Sequence, residues 1–469
     1  MARIVVVGGG IVGLGASLML ARDGHQVTVL ERDPAPPPDP EGAWEGWERR
    51  GVNQFRLLHF FQPRYRELMD ANVPDVVAAL LDAGALVVNP LRDAPAEVTG
   101  GFREGDERHD AVTARRPVAE AAIAQVVAAT DNLEVRRGVG VVGLLTGDAT
   151  TAGVPHVVGV HTDTGEDVRA DLVVDAAGRR SMLPAWLTDI GSQAPVEDRA
   201  DCGFVYYGRH FRSNDGSVPM AFGPLLQEYG TVSVLTLPAD NGTWGVGLIA
   251  SAKDKSMRSL KNLDVWTKVV QSMPLCAHWL DGEPLDDQVA VMAKIEDRHR
   301  SFVLDGHPVA TGVVALADSW ACTNPSVGRG ISIGTIHAVG LRDLLHDMPP
   351  DPVALQQQWH DVTIATAEPW YRSTLAFDEG RLDEIEALLE GRPFEPTPEF
   401  EIGQALRTAA GKDPEMLRAV LDLAGVLALP EQVLGRPGVF ERVVELGSGW
   451  RDEQPPGPGR DELVALAAS

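Results

Sequence analysis

The chain has few cysteines, an excess of acid over base and no long uninterrupted apolar run. Its three cysteines, Cys202, Cys276 and Cys322, are far apart, so neither a disulfide framework nor metal-ligand spacing is visible. This pattern predicts no metal site and favours the reducing cytoplasm. Lys and Arg number 41 against 67 Asp and Glu, a formal net charge of -26, which argues against nucleic acid or an anionic membrane as a partner.

Membrane insertion and secretion are not expected either. The most apolar stretch, 73–88, is interrupted by Asp75, Asp82 and Gly84, and is typical of an amphipathic helix followed by a strand. The first strand starts at residue 4, which leaves no room for a signal peptide. With 469 residues, 44% of them hydrophobic, the chain can bury a large core, in about three domains or in one elaborated pair.

The N-terminal segment combines a strand, a glycine-rich turn, a helix and a second strand. A β-branched run at 4–7 leads into a Gly-x-Gly-x-x-Gly turn and a helical pattern, and the second strand ends at Glu31. Gly8 permits the tight turn, Gly10 lets the backbone approach a pyrophosphate, and Gly13 allows close packing of helix and strand. The helix N-terminus favours that pyrophosphate, and Glu31 can accept hydrogen bonds from a ribose. The segment therefore predicts a dinucleotide site.

A second glycine-containing segment, 317–330, decides which dinucleotide is expected. Asp318 follows a predicted strand, and Pro325, Gly328 and Gly330 precede a predicted helix. The segment resembles the second FAD-binding motif of the flavoprotein monooxygenases, GD…P…GxG. In that family the aspartate binds ribityl or ribose hydroxyls, and the helix start faces the pyrimidine edge of the flavin. The resemblance therefore implies FAD as the cofactor.

Further segments match the same family. Arg116 opens a predicted helix where the family places an arginine near the FAD phosphates or ribose, although Arg115 or a solvent-exposed role are alternatives. Val141 lies where the family's backbone contacts adenine, and its side chain could simply be core. The loop R-R-G-V-N-Q-F-R ending at Arg56 resembles the RxGVxQxR loop that lies beside the flavin in an epoxidase-like and halogenase-like branch. Arg56 and His59 are thus catalytic candidates, with a surface or packing role as the alternative for each.

By resemblance, the chain is identified as a member of the class A-like FAD-dependent monooxygenases, epoxidase/halogenase-like and of actinobacterial type. The resemblance implies an α/β fold with a Rossmann-like FAD-binding domain, an inserted antiparallel-sheet substrate domain and a helical C-terminal region. The expected ranges are 1–60, 110–195 and 300–345 for FAD, 61–109 and 196–299 for substrate, and 346–469 for the helical region. The cofactor-binding residues it implies are Gly8, Gly10, Ile11, Val12, Gly13, Glu31, Arg32, Arg116, Val141, Asp318, Pro325, Gly328, Arg329 and Gly330.

The chain also departs from the family pattern. Aromatic hydroxylases carry an aspartate that contacts both flavin and NAD(P)H, and Ala177 stands at that position in the segment D-A-A-G. Ala317 replaces the glycine that opens the second motif, a change expected to be sterically small. The halogenase segment WxWxIP is absent, as is a second Gly-x-Gly-x-x-Gly, so halogenation and a separate NADPH domain are less favoured. Electrons are expected from NAD(P)H or from a separate flavin reductase.

The expected chemistry belongs to the flavin, because the sequence has no recognisable hydrolytic triad or P-loop. The family uses a flavin 4a-hydroperoxide, formed with O2, and the resemblance implies hydroxylation or epoxidation of a hydrophobic small molecule in secondary metabolism. Substrate is expected against Tyr206, Phe222 and Trp244, unless these are sheet core. The alternatives are an FAD dehydrogenase or reductase of the geranylgeranyl-reductase type, a flavin halogenase and, least favoured, a non-catalytic flavin sensor.

Overall fold

The computed structural model describes residues 1–347, 351–453 and 455–469, so that 348–350 and Gln454, inside the predicted C-terminal region, lie outside the described residues. In chain order its strands are β1 (Arg3–Val7), β2 (Gln26–Glu31), β3 (Leu86–Val88), β4 (Ala111–Thr113), β5 (Leu133–Arg137), β6 (Val141–Thr151), β7 (Val154–Thr162), β8 (Asp167–Arg169), β9 (Leu172–Asp175), β10 (Val196–Asp201), β11 (Phe204–Arg212), β12 (Leu226–Tyr229), β13 (Val232–Pro238), β14 (Thr243–Ser251), β15 (Glu283–Pro284), β16 (Ala290–Met292), β17 (Glu296–Ser301), β18 (Val303–Leu304), β19 (His307–Pro308), β20 (Val313–Ala315) and β21 (Ala321–Cys322).

The helices, again in chain order, are α1 (Ile11–Arg22), α2 (Ala43–Gly46), α3 (Pro63–Asn72), α4 (Pro74–Asp82), α5 (Pro90–Asp93), α6 (Ala96–Thr99), α7 (Arg116–Ala128), α8 (Leu183–Asp189), α9 (Leu263–Gln271), α10 (Gly330–His346), α11 (Pro352–Thr366), α12 (Glu368–Glu390), α13 (Pro398–Ala410), α14 (Pro414–Ala424), α15 (Pro430–Leu434), α16 (Val439–Gly447) and α17 (Arg460–Ala467).

A five-stranded parallel sheet in the order β20-β9-β1-β2-β5 forms the centre of the N-terminal half. Val6 on β1 lies opposite Val29 on β2 and Val174 on β9, and all three side chains are fully buried. Helices α1, α4, α7 and α10 pack on one face, and the meander β6-β7-β8 with α8 packs on the other. Both faces are covered, which explains why these strands read as unbroken apolar runs in the sequence.

The helical pattern at 64–86 divides into two helices and a strand rather than one continuous helix. Helix α3 ends at Asn72 and α4 begins at Pro74. Val73 between them has φ −146° and ψ 63°, because the residue before a proline is kept out of the helical region. The strand expected at the end of the apolar stretch is β3.

The second sheet is antiparallel, in the order β12-β13-β14-β11-β15, with β16 also paired to β11. It carries the three alternating runs that predicted strands near 204–207, 231–237 and 244–249. Helices α9 and α17 cover one face and bury Trp266 completely. The predicted α/β fold, with a parallel sheet, a separate antiparallel sheet and a helical C-terminal segment, is confirmed.

The C-terminal segment is helical from α11 onward in the described residues. Helices α13, α14 and α16 share an apolar core that includes Leu406, Ala409 and Val443. Arg418 on α14 joins this region to the 99–110 segment by two hydrogen bonds to Asp106, of 2.6 and 2.8 Å. None of the described helices has the length and apolar character needed to cross a membrane.

Candidate cofactor and substrate site

The turn between β1 and α1 has the geometry that its glycines predict. Gly8 has φ +106°, and a Cβ there would lie 2.6 Å from the carbonyl oxygen of Ala176. A Cβ on Gly13 would lie 2.3 Å from the carbonyl oxygen of Gly8. A Cβ on Gly10, in contrast, would meet no atom within 4 Å. Two glycines are therefore required by packing, while Gly10 borders open space in front of the N-terminus of α1.

Glu31 at the end of β2 is held by three protein donors. Its Oε2 accepts hydrogen bonds from the Gly9 backbone N–H at 2.8 Å and from Nη2 of Arg49 at 2.5 Å. Its Oε1 accepts one from the Asp33 backbone N–H at 2.9 Å. The carboxylate thus has a fixed orientation at the edge of the turn, where the ribose acceptor is predicted.

A chain of buried charges links Glu31 to the helix that begins at Arg116. Arg49 donates to both Glu31 and Glu120, and Nε of Arg116 donates to Glu120 at 2.7 Å. Burial by itself would raise the pKa of Glu120, but Arg49 and Arg116 hold that pKa below its ordinary value. The sequence analysis missed Glu120, although its position four residues after Arg116 on one helix is a recognisable signal.

The two catalytic candidates of the 49–59 loop have different surroundings. Arg56 donates to the backbone carbonyls of Trp44 and Trp47, and its guanidinium lies 4.7 Å from the centroid of the Trp44 ring. These contacts hold the 44–56 segment together. Arg56 is not among the described residues that line the cavity presented below. His59 does line it, and its Nε2 lies 3.2 Å from Nη1 of Arg116. Burial, followed by the charge of Arg116, lowers the pKa of His59 to about 3, so the ring is neutral.

The second motif places its polar groups at the same cavity. The Asp318 side chain is exposed to the cavity, at a position set deep among protein atoms. This desolvation raises the pKa of its carboxyl, and the charges of Arg116 and Arg179 oppose the rise. Gly330, the first residue of α10, is also exposed there. The first-turn N–H groups of a helix have no partner within the helix, so this end of α10 can donate to a ligand.

Ala317 corrects one expectation from the sequence. The replacement of the family's glycine by alanine was expected to be sterically small, but Ala317 adopts φ +52°, in the left-handed region that favours glycine. Its backbone N–H donates to Nδ1 of the buried His337 at 3.1 Å. The chain therefore keeps the turn that the glycine would make, at a conformational cost of about 1–2 kcal/mol.

A buried polar cluster supports the loop before α10. Oδ1 of Asp378, on α12, accepts hydrogen bonds from Ser326 at 2.7 Å and from Asn324 at 3.1 Å. Burial raises the pKa of Asp378 to about 7, and its Oδ2 has no partner among the described residues. Tyr206, predicted to contact substrate, donates its hydroxyl proton to Oδ1 of Asn324 instead. No sequence signal connects Asp378 with the motif, because the two are far apart along the chain.

Of the other two predicted substrate residues, one lies at the cavity. Phe222 lines it, is 58% exposed and stacks on His278 with ring centroids 4.2 Å apart. Trp244 is 2% exposed, donates its indole N–H to the carbonyl of Trp279 at 2.7 Å, and belongs to the core of the antiparallel sheet. Trp244 was a candidate because of strand alternation, and its inward-facing register on β14 explains its position in the core.

Ala177, which by resemblance takes the place of the hydroxylase aspartate, lies at the cavity. Its side chain is exposed to the cavity, and its backbone N–H donates to Oδ1 of the buried Asp175 at 3.1 Å. The next residue, Gly178, donates its N–H to Oγ of Ser319 at 2.8 Å, which ties this turn to the second motif. At this point of the cavity wall the chain therefore presents a methyl group and no carboxylate.

One cavity of about 2600 Å³ unites these features. All fourteen predicted cofactor-binding residues line it, from the β1–α1 turn past Asp318 to the start of α10. The open space at Gly10 and the N-terminus of α1 fit the pyrophosphate of FAD. The N-terminus of α10 fits the flavin, and Glu31 at the end of β2 fits the ribose. The residues present therefore fit an FAD molecule extended between the two motifs.

Comparison with known proteins agrees with this geometry. A family model described as FAD dependent oxidoreductase matches residues 3–45. The Mycobacterium tuberculosis protein Rv3254 is 28% identical over 359 residues, which is 73% of this chain and 72% of that protein. Among solved structures, PqsL from Pseudomonas aeruginosa, a probable FAD-dependent monooxygenase, superposes with a TM-score of 0.60 at 15% identity, covering 83% of this chain and 99% of PqsL.

The chain has the fold of the FAD-dependent monooxygenases. The anhydrotetracycline hydroxylase OxyS from Streptomyces rimosus shares this fold with a TM-score of 0.57 at 18% identity, covering 91% of this chain and 76% of OxyS. The match of residues 3–45 to the FAD dependent oxidoreductase model and the shared monooxygenase fold both agree with the class A-like FAD-dependent monooxygenase superfamily that the sequence predicts.

Proposed function

We propose that the chain is an FAD-dependent monooxygenase that hydroxylates or epoxidises a hydrophobic small molecule in secondary metabolism. The observation that carries the proposal is the convergence of both dinucleotide motifs on one cavity whose remaining wall is largely apolar. FAD, when bound and reduced, supplies the activation of O2 and the oxygen atom that is transferred.

The chain's own residues position and shield the reaction. The N-termini of α1 and α10 present N–H groups and partial positive charge to the cofactor, and Glu31 and Asp318 offer acceptors for its hydroxyls. Neutral His59 accepts a hydrogen bond from Arg116 and cannot act as an acid near neutral pH. Apolar side chains facing the cavity exclude water from the reacting centre.

We further propose that electrons come from a separate flavin reductase rather than directly from NAD(P)H. The support is Ala177, whose methyl group faces the cavity where hydroxylases carry a carboxylate.

A reducing compartment such as the cytoplasm fits the three cysteines, which are free and buried. Burial raises the pKa of Cys202 and Cys322 to about 12, which keeps these thiols unreactive.

The reaction class can be tested with chemically reduced holoprotein. The reduced protein is mixed with ¹⁸O₂ in the presence of a panel of hydrophobic phenols and alkenes, and products are analysed by mass spectrometry. One ¹⁸O atom per product molecule supports the proposal. A product that has gained or lost two hydrogen atoms without ¹⁸O would identify a dehydrogenase or reductase, and a halogenated product formed only with added halide would identify a halogenase. A flavin that shows no substrate-dependent reoxidation would identify a sensor.

A further inference from the structure

The cavity is larger than one cofactor and one small ring require. Ordinary ligand pockets have volumes of about 300–1,000 Å³, so the cavity of about 2600 Å³ could hold two ligands at the upper end of that range. The part beyond the cofactor motifs lies between loop 218–226 and helices α12, α13 and α14. We call this part the C-terminal chamber, and its wall includes Phe222, Leu388, Phe400, Leu406, Leu417 and Leu421.

Six of the fifteen large apolar residues that are exposed in the described part of the chain line this cavity. Large apolar side chains are rarely left in water as a connected surface unless they bind something. Three of these six, Met220 at 66%, Phe222 at 58% and Leu388 at 49%, belong to the chamber wall. Three others line the cavity elsewhere: Val87, Val98 and Met182. Their shared location favours an apolar ligand with a large contact area.

One cation at the chamber has no acidic partner. Arg329, between the two glycines of the second motif, forms no ion pair among the described residues. Its Nη2 donates to the carbonyl of Leu423 at the end of α14 at 3.1 Å, and its Nε has no partner in the described part of the chain. Burial lowers the pKa of Arg329 to about 10, with Asp378 opposing this effect and Arg407 adding to it.

The neighbouring arginines of the chamber are paired. Arg381 binds Glu384 and the carbonyl of Gly230, and Arg407 binds Glu228 at 3.1 Å. The carboxylates of Glu384 and Glu228 at the chamber are already engaged by these two arginines. The hydrogen bond from Arg329 to Leu423 places its guanidinium against the C-terminal helix α14. A partly buried cation that forms no ion pair among the described residues is most stable when a ligand supplies the negative charge.

We propose that the C-terminal chamber binds the apolar body of a multi-ring substrate that carries one anionic group, and that Arg329 pairs with that group. This inference rests on the proposed function, because the ligand is taken to be the molecule oxidised beside the flavin. Arg329 acts here as a binding residue for substrate, in addition to its position within the cofactor motif.

Two probes with the same ring skeleton test the pairing in FAD-loaded protein. Anilinonaphthalenesulfonate carries a sulfonate, and phenylnaphthylamine is its uncharged counterpart. Their affinities are measured by equilibrium dialysis, with the bound probe quantified after extraction and FAD content determined in each sample. We expect one molecule of either probe per chain, with the sulfonate bound about tenfold more tightly.

Substitutions of Arg329 then test whether this residue binds the sulfonate group. Arg329→Met should remove the about tenfold preference for the sulfonate while leaving phenylnaphthylamine affinity unchanged, and Arg329→Lys should restore part of the preference. The control Arg442→Met removes an arginine that pairs with Asp413 outside the cavity, and it should leave both affinities unchanged. An unchanged sulfonate preference in Arg329→Met would overturn the role of Arg329.

A filling variant tests the chamber itself. Gly403 lies on the α13 wall of the cavity, and a Cβ there would meet no atom within 4 Å, so Gly403→Phe starts from open space and adds bulk at the chamber wall. It should weaken both probes about tenfold or more at normal FAD content. Unchanged binding of both probes, or no stoichiometric binding to wild type, would overturn the chamber. A protein that binds the probes in this way but holds no FAD would refute the proposed function and leave the chamber supported.

Discussion

The Nε atom of Arg116 donates a hydrogen bond of 2.7 Å to Oε1 of Glu120, one turn later on α7. The other oxygen of the same carboxylate accepts from Arg49, which in turn holds Glu31 at the end of β2. Glu120 is fully buried, and its charge is balanced only by these two arginines in the described residues. A residue without a predicted role thus connects the ribose end of the site to the arginine expected near the phosphates.

Glu120→Gln should destabilise the protein and weaken FAD binding. Removing one partner of a buried ion pair costs about 3–5 kcal/mol, because the remaining charges stay buried without compensation. Urea unfolding of the variant measures the loss. The control Glu67→Gln removes an exposed carboxylate that pairs with Arg64 on the surface, and it should have no measurable effect. Equal losses in the two variants would show that Glu120 is not a structural centre of the site.

Asp378→Asn should change how stability depends on pH. Folding raises the pKa of Asp378 to about 7, so the folded chain binds more protons than the unfolded chain between the ordinary carboxyl pKa and about pH 7. Wild-type stability therefore falls as pH rises through this range. The variant cannot ionise and should be more stable than wild type by about 1–3 kcal/mol at about pH 8, with no difference near pH 4. Parallel pH profiles from urea unfolding would contradict the assignment.

Asp318→Ala should weaken FAD binding by about 1–3 kcal/mol, the usual loss when hydrogen bonds to a charged group are removed. The carboxylate faces the cavity, so the variant removes an acceptor available to the cofactor without opening the core. Fluorescence titration of apoprotein with FAD gives the affinity. Asp318→Asn keeps one acceptor oxygen and should lose less. If both variants bound FAD like wild type, Asp318 would be no more than a polar residue of the cavity wall.

The local motifs were predictable because each is contained in a short stretch of sequence. The turn at Gly8 and Gly13 depends on neighbours within a few residues or on the adjacent strand, and glycine spacing reports it directly. Trp244 was harder to place, since strand alternation indicates which residues share a face but not which face meets the core.

Contacts between distant segments were not predictable from one sequence. Asp378 meets Ser326 across 52 residues, and Glu120 meets Arg49 across 71. Neither partner carries a local signal for the other, because such pairs are set by tertiary packing. The left-handed conformation of Ala317 was also not predictable, since alanine disfavours positive φ and its presence gives no local signal for it.

Reduction by NADPH or NADH alone should be slow. Ala177 leaves no carboxylate at the position that hydroxylases use between flavin and nicotinamide. Stopped-flow bleaching of the bound flavin should be far below the about 10 per second typical of enzyme turnover, and a separate flavin reductase or chemically reduced FAD should support faster turnover. Rapid bleaching by NAD(P)H alone, with or without substrate, would instead indicate a self-sufficient single-component enzyme.

The central claim, that the cavity between the two motifs holds FAD, is tested most directly by titrating apoprotein with FAD. Wild type should bind one FAD per chain and turn yellow. Gly10→Val should fold normally, because a Cβ at this position meets no atom within 4 Å, yet bind no FAD, because the added side chain fills the space of the pyrophosphate. Circular dichroism verifies the fold of the variant. Normal FAD binding by Gly10→Val, or no FAD binding by wild type, would contradict the account.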